Sequence, residues 1–267
     1  EDVIKLSHYT SNVNALLNIC RGEFWATDIQ DFDDKNEGKL ILYRINEIVT
    51  NLKQLTEEQK EKVHNLIGNS DSIDNFISEH RTSVLSMCLN INSEYMWKNY
   101  ARENGYNIIF DKRMFEDTLH FYTAKGAKKE GHYVKHAKII YSADEQVKII
   151  EEEIADMLSA NDFEFDDNSK VEYILQHLMY VGNFYKQESS LDERYKDEQE
   201  YRILVNTSVP TSKYPEIAQA IPEYHYNDNN KKHYNILKFD RKSIIEIICN
   251  SDEAKKSIAK KITDIPI

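Results

Sequence analysis

Three charged residues late in the chain, Glu198, Glu200 and Arg202, fall at alternate positions of the run Glu198-Gln199-Glu200-Tyr201-Arg202-Ile203-Leu204-Val205. From Tyr201 onward the run is aromatic and β-branched at period two, without Gly or Pro, which predicts a strand. On a strand those three charges share one face at spacings of about 7 Å, and Tyr201, Ile203 and Val205 share the other. Such a row reads as a solvated strand face at a sheet's edge. It reads equally as a Glu-x-Glu site, where one carboxylate touches a sugar hydroxyl and the other steers an incoming nucleophile.

Other constellations fail on spacing. His132 and His136 are four apart within an alternating, strand-like pattern and have no evident third partner, so no zinc site is expected. Asp162, Glu164, Asp166 and Asp167 open like a calcium loop, but Asp167 holds the position that needs Gly and Tyr173 the one that needs Glu. The chain has no Gly-rich phosphate loop, no Gly-x-Ser-x-Gly elbow and no kinase signature. Cys20, Cys88 and Cys249 sit among apolar neighbours and form no CxxC pair, as expected of buried free thiols in a reducing compartment. No metal is expected.

A net charge of −12 argues against an extended nucleic-acid footprint, which needs clustered Lys and Arg. The local cluster Lys125, Lys128, Lys129, Lys135 and Lys138 reads as a solvated hairpin region. With 40% hydrophobic and 30% charged residues, the 267-residue chain has the composition of an ordinary globular protein. No run approaches 18 consecutive apolar residues, so no membrane segment is expected, and a cytoplasmic location follows as the default. The chain opens on Glu1 rather than Met, and upstream residues are expected.

The elements that must position the charged row begin with a strand over Val3 to Tyr9. A helix with the stripe Val13, Leu16, Leu17, Cys20 follows, Ser11 as its N-cap and Gly22 just past its end. A short strand from Glu23 to Thr27 leads into an acidic loop, Asp28 to Glu37. Residues 38 to 80 read as an inserted helical layer broken near Thr56 and Gly68. Strands over Thr82–Leu89 and Tyr106–Asp111 flank a helix over Ser93–Arg102. More strand over 131–141, two amphipathic helices and the Glu-x-Glu strand come next. Strands His233–Phe239 and Ile244–Cys249 and a terminal helix Ser251–Ile262 close the chain. This order predicts one α+β domain over 1–267, with helices inserted into a mixed, mostly antiparallel sheet.

In chain order, Leu6-Ser7-His8-Tyr9-Thr10-Ser11, Phe32-Asp33-Asp34, Met96-Trp97-Lys98-Asn99-Tyr100-Ala101 with Gly105 and Phe110, Ile139-Ile140-Tyr141-Ser142 and Glu198-Gln199-Glu200-Tyr201-Arg202 resemble a bacterial family known as domain of unknown function 2971. The resemblance spans residues 6 to 205. The Met-Trp-x-x-Tyr-Ala and Glu-x-Glu-x-Arg pieces are its more specific parts. Asp33, Lys35 and Tyr195 depart from that family's Asn, Pro and Trp.

The order of an early-strand His, a middle rich in aromatics and a late-strand Glu also looks like the layout of ADP-ribosyltransferases, whose sheet is split. That likeness implies NAD as a substrate, with Glu200 as the catalytic carboxylate and Glu198 orienting the acceptor. It further implies His8 on a ribose hydroxyl, with Tyr9, Trp97, Tyr100 and Arg202 around the cofactor and Asp34 near the substrate. The implied protein is a bacterial enzyme, a toxin or anti-phage effector, that transfers ADP-ribose to a protein or nucleic acid. Two rivals stand beside it. One is a metal-dependent nuclease-like effector built on Asp33, Asp34, Glu198 and Glu200. The other is a non-catalytic, Tyr-rich protein-interaction module.

Overall fold

Among the described residues, alternation of apolar and polar residues builds eleven strands, and their ladders are antiparallel. The computed structural model describes residues 3–33, 38–53, 55–79, 81–159, 167–186, 199–206 and 223–267. In chain order the elements are β1 (Lys5–Thr10), α1 (Val13–Ile19), β2 (Glu23–Asp28), α2 (Leu40–Val49), α3 (Glu57–Ile67), α4 (Ser70–Glu79) and β3 (Thr82–Cys88). Then come α5 (Glu94–Met96), which runs into a π-helical turn over Trp97–Ala101, β4 (Tyr106–Asp111), α6 (Lys112–Thr118), β5 (His120–Tyr122), β6 (Lys128–Glu130) and β7 (Val134–Lys138). Helices α7 (Ala143–Ser159) and α8 (Asp167–Gly182) lead to β8 (Glu200–Asn206), β9 (Tyr224–Asn227), β10 (Lys232–Lys238), β11 (Ile244–Cys249) and a closing helix, Asp252–Ile258. The expected α+β class stands. Among the described residues no helix is long and apolar enough to cross a membrane.

The sheet forks at β3. One edge of β3 pairs with β8 along its whole length, from Thr82↔Asn206 to Cys88↔Glu200. On the other edge β2 joins at Ser83 and Val84, while β1 joins at Cys88. Between these points, at Leu85 to Met87, β1 and β2 diverge, carrying β4 and β11 in one arm and β10 in the other. A fork leaves backbone groups facing a gap, and a gap lined by unpaired backbone is a natural place for a polar ligand or side chain.

Each face of the sheet covers its own core. One face packs Leu6, Phe24, Leu85, Ile108, Phe110, Tyr201, Ile203 and Val205 under α1, α6 and the closing helix. The opposite face packs Val84 and Leu204 against α2, α3, α4, α7 and α8. The inserted helical layer is therefore three helices broken near the expected places. Thr56 caps α3 in a reciprocal box with Gln59. At Gly182 a Cβ would sit 2.2 Å from the Cβ of Ile41, so only glycine lets α8 close on α2.

Several expectations are corrected. The helix after β1 is capped by Asn12, whose Oδ1 accepts from the Asn14 and Ala15 amides, not by Ser11. Strand β8 is interior, held between β3 and β7, and the charged side chains it carries are buried under α8 rather than solvated at an edge. The helix expected over Ser93–Arg102 is one short α-turn and a π-turn, closed by Arg102 at φ 60°. Helix α6 and strands β5, β6 and β9 were not expected. Gly22 does take the left-handed conformation, φ 84°, and a Cβ there would meet the Phe239 carbonyl at 2.6 Å.

Candidate functional site

Period two on β8 places Glu200 and Arg202 on the α8 face, beside Ser86 of β3. Glu200 is 4% exposed and Arg202 1%. Such burial is tolerable for charges only when they are paired and hydrogen-bonded. Here Oε1 of Glu200 accepts from Ser86 Oγ at 2.6 Å and from Arg202 Nε at 2.7 Å. Its Oε2 meets Lys186 Nζ at 2.6 Å and Arg202 Nη2 at 3.4 Å.

Helix α8 sets both cations. Its end supplies the Asn183 carbonyl to Arg202 Nη1 at 2.7 Å. Lys186 follows Tyr185, which bridges to Ile140; its amide donates to the Ile140 carbonyl at 3.2 Å and its own carbonyl accepts from Gln146 Nε2 at 2.8 Å. Just before Glu200, Gln199 adopts φ 41°, a left-handed conformation that a non-glycine residue holds at a cost.

Burial alone would raise the Glu200 pKa, but the Arg202 and Lys186 charges outweigh it and hold the carboxyl at about 2. The group is thus a permanent anion at neutral pH. It cannot exchange protons as a general acid or base, but it can accept hydroxyl hydrogen bonds and stabilise positive charge. Two cations, Lys186 and Arg202, thus flank the one carboxylate.

His8 stands in the fork. Its Nδ1 lies 3.2 Å from the Ser86 carbonyl, a contact that makes Nδ1 the protonated nitrogen and Nε2 the bare one. Phe24 packs edge-on against the ring, with centroids 5.0 Å apart. Burial lowers the imidazole pKa to about 4, against the opposing pull of the Ser86 carbonyl, so the ring is neutral at pH 7 and Nε2 is an acceptor.

These groups share one cleft of about 330 Å³. Its charged floor is Glu200, Arg202 and Lys186; its walls include Ser7, His8, Trp25, Phe32, Met96 and Tyr100. Ser7 is fully buried, and its Oγ has no hydrogen-bond partner among the described residues. Tyr100 is delivered by the π-turn and is 45% exposed. π-turns recur at functional sites because they re-aim side chains that an α-helix would point elsewhere.

Of the residues expected from the sequence, His8, Tyr9, Tyr100, Glu200 and Arg202 all line the cleft. Trp97 does not. It packs edge-on against Tyr9 at 5.3 Å and so buttresses the wall from behind. Tyr9 is itself mostly committed to structure, its hydroxyl donating to the Asn90 carbonyl and accepting from the Ser93 amide. Glu198 and Asp34 lie outside the described residues. Asp33 is exposed and reaches Lys232 at 3.4 Å. Among the described residues no three His, Cys, Asp or Glu side chains group as metal ligands.

The match to known families is confined to the middle of the chain. Residues 96–203 match the model of a family described as Protein of unknown function (DUF2971). No curated protein and no solved structure matches the chain. The DUF2971 stretch carries Met96, Tyr100, Lys186, Glu200 and Arg202, hence the whole charged floor and one aromatic wall. His8, Trp25 and Ser86 complete the cleft from strands that precede the DUF2971 match.

Lys186, Ser86, Trp25 and Ser7 were not anticipated. Lys186 follows a helix stripe with nothing in its spacing to set it apart. Ser86 could have been found by pairing the two buried strands, since it lies directly opposite Arg202.

Proposed function

We propose that the chain is an ADP-ribosyltransferase-like enzyme that binds NAD in this cleft, breaks its nicotinamide–ribose bond and passes ADP-ribose to a macromolecular acceptor. The observation that carries the reading is the convergence of His8, Tyr100 and Glu200, drawn from the first strand, a middle turn and a late strand, on one cleft. The cleft's chemistry suits the parts of a dinucleotide. A planar, cationic nicotinamide gains about 1 kcal/mol or more against an aromatic wall such as Tyr100 or Trp25. The diphosphate meets two cations on the cleft lining, Lys186 and Arg202. Ribose hydroxyls find an acceptor in His8 Nε2 and an anion in Glu200.

As the glycosidic bond stretches, positive charge grows on the ribose. A fixed, ionised carboxylate lowers the barrier there by about 3 kcal/mol. Glu200 is thus the catalytic carboxylate, and Lys186 and Arg202 keep it ionised and aimed.

The rival metal-dependent reading needs Glu200 for a metal ion, and two protein cations already hold that carboxylate.

The test is thermal unfolding of the purified chain with and without NAD. At ten times its Kd, NAD stabilises by about 1.4 kcal/mol, a rise in Tm of about 3–5 °C for a chain of this size. Tyr100→Ala, at a half-exposed position, is expected to unfold at the wild-type temperature without NAD and to lose most of the rise. No rise at millimolar NAD in folded wild-type protein overturns the reading.

A further inference from the structure

A second cavity, of about 230 Å³, lies on the α1 side of the fork. It shares His8, Trp25 and Leu85 with the first, so the same imidazole lines both. Its remaining polar lining is dominated by amides: Asn12, Asn14 and Asn18 from the α1 region, and Asn227 and Asn230 from the β9–β10 turn. Glu23, the one carboxylate there, pairs with Lys238 at 2.6 Å. Asn14 and Asn18 are one helical turn apart, and their side-chain amides make no hydrogen bond among the described residues. The Oδ1 atoms of Asn12, Asn227 and Asn230 already accept from backbone amides, while Asn14 and Asn18 offer both donor and acceptor; such neutral groups suit an uncharged polar group better than an ion.

Displacement at a ribose carbon brings the nucleophile in on the face opposite the departing nicotinamide. In the first cleft the aromatic wall and charged floor take up one side of the fork. On the opposite side His8, Trp25 and Leu85 are the residues that the cleft shares with the amide-lined cavity.

We propose that this second cavity is the acceptor site, and that it admits an uncharged, hydroxyl-bearing group to the ribose through the sheet fork. This rests on the NAD reading above. In the transfer step the acceptor oxygen forms a bond to the ribose C1′. The C1′–nitrogen bond breaks with both its electrons going to the nicotinamide, which leaves neutral, and the acceptor's proton passes to solvent.

The experiment uses the full chain with NAD in aqueous methanol, methanol being the acceptor probe, and measures methyl-ADP-ribose by chromatography beside the thermal shift. Asn14→Trp and Asn18→Trp would each fill the second cavity from a helix surface. Both are expected to keep the wild-type rise in Tm with NAD while forming methyl-ADP-ribose about ten-fold more slowly or worse. Two positions are used so that misfolding of one does not decide the matter. Unchanged product formation in both variants, with NAD bound, overturns the acceptor site and leaves the NAD reading standing. Wild-type protein that binds NAD but makes no methyl-ADP-ribose also overturns it. Absence of any thermal shift with wild type removes both proposals together.

Discussion

Glu200 has every lone pair engaged: a hydroxyl and a guanidinium nitrogen on Oε1, an ammonium and a second guanidinium nitrogen on Oε2. A ribose hydroxyl can reach it only by exchange, and the cheapest exchange is like for like. Ser86 Oγ is the one neutral partner, and Ser86 is exposed at the fork. Ser86→Ala vacates that lone pair in advance. NAD is therefore expected to bind the variant more tightly, by about five-fold for 1 kcal/mol, while the ligand-free Tm falls slightly; calorimetric titration measures both affinities. Weaker binding by Ser86→Ala would mean that Ser86 itself contacts the ligand, and the exchange idea would be wrong. The obvious alternative, Glu200→Gln, does not isolate catalysis. Removing the anion breaks the buried pair with Arg202, which costs about 3–5 kcal/mol of stability.

At the scale of elements, the π-turn and the fork do the aiming. Trp97 to Ala101 holds one residue more per turn than an α-helix allows, and that surplus puts Tyr100 at the cleft while Trp97 stays against Tyr9. Deleting the exposed Lys98 should relax the turn to α-helix. The expected result is unchanged far-UV circular dichroism, a Tm within a few degrees of wild type and no NAD-induced shift; a retained shift would show that the turn's register is immaterial. These two devices also mark where sequence reading stopped. Period two on β8 was legible and correctly put Glu200 and Arg202 together, because alternation follows from the pleat alone. Whether that face met water or α8 was not legible, since it depends on which strands flank β8. The π-turn was hidden as well: Met96, Trp97, Tyr100 and Ala101 carry helical spacing, and one surplus residue does not alter it. The partners Lys186 and Ser86 escaped because an ion pair across 14 residues and a hydrogen bond across 114 leave no periodic trace.

Across the whole molecule, three titrating groups tie separate arms of the sheet to one another, and all weaken in acid. His8 links β1 to the β3 carbonyl of Ser86 across the fork. Glu200 joins β8 to β3 and to the end of α8. Glu116 of α6 accepts from the Tyr201 hydroxyl of β8, from Lys112 Nζ at 2.9 Å, and approaches His136 of β7 at 3.2 Å. Although burial works to raise its pKa, the hydrogen bonds from His136, Tyr201 and Lys112 hold Glu116 at about 2. For His8 the folded pKa, about 4, lies below the ordinary 6.5, so the unfolded chain takes up its proton first as pH falls. Stability drains through that window, between pH 6.5 and about 4. For Glu200 and Glu116 the folded values, about 2, lie below the ordinary 4.5, so their contribution is complete above pH 4.5 and is lost as pH falls toward 2. Tm measured against pH should therefore decline in two stages. His8→Asn, which does not titrate, should flatten the upper stage and leave the lower one in place. If the variant instead follows the wild-type curve between pH 6.5 and 4.5, the imidazole is not the group that makes the fork acid-sensitive, and its neutral, acceptor state in the cleft loses its main support.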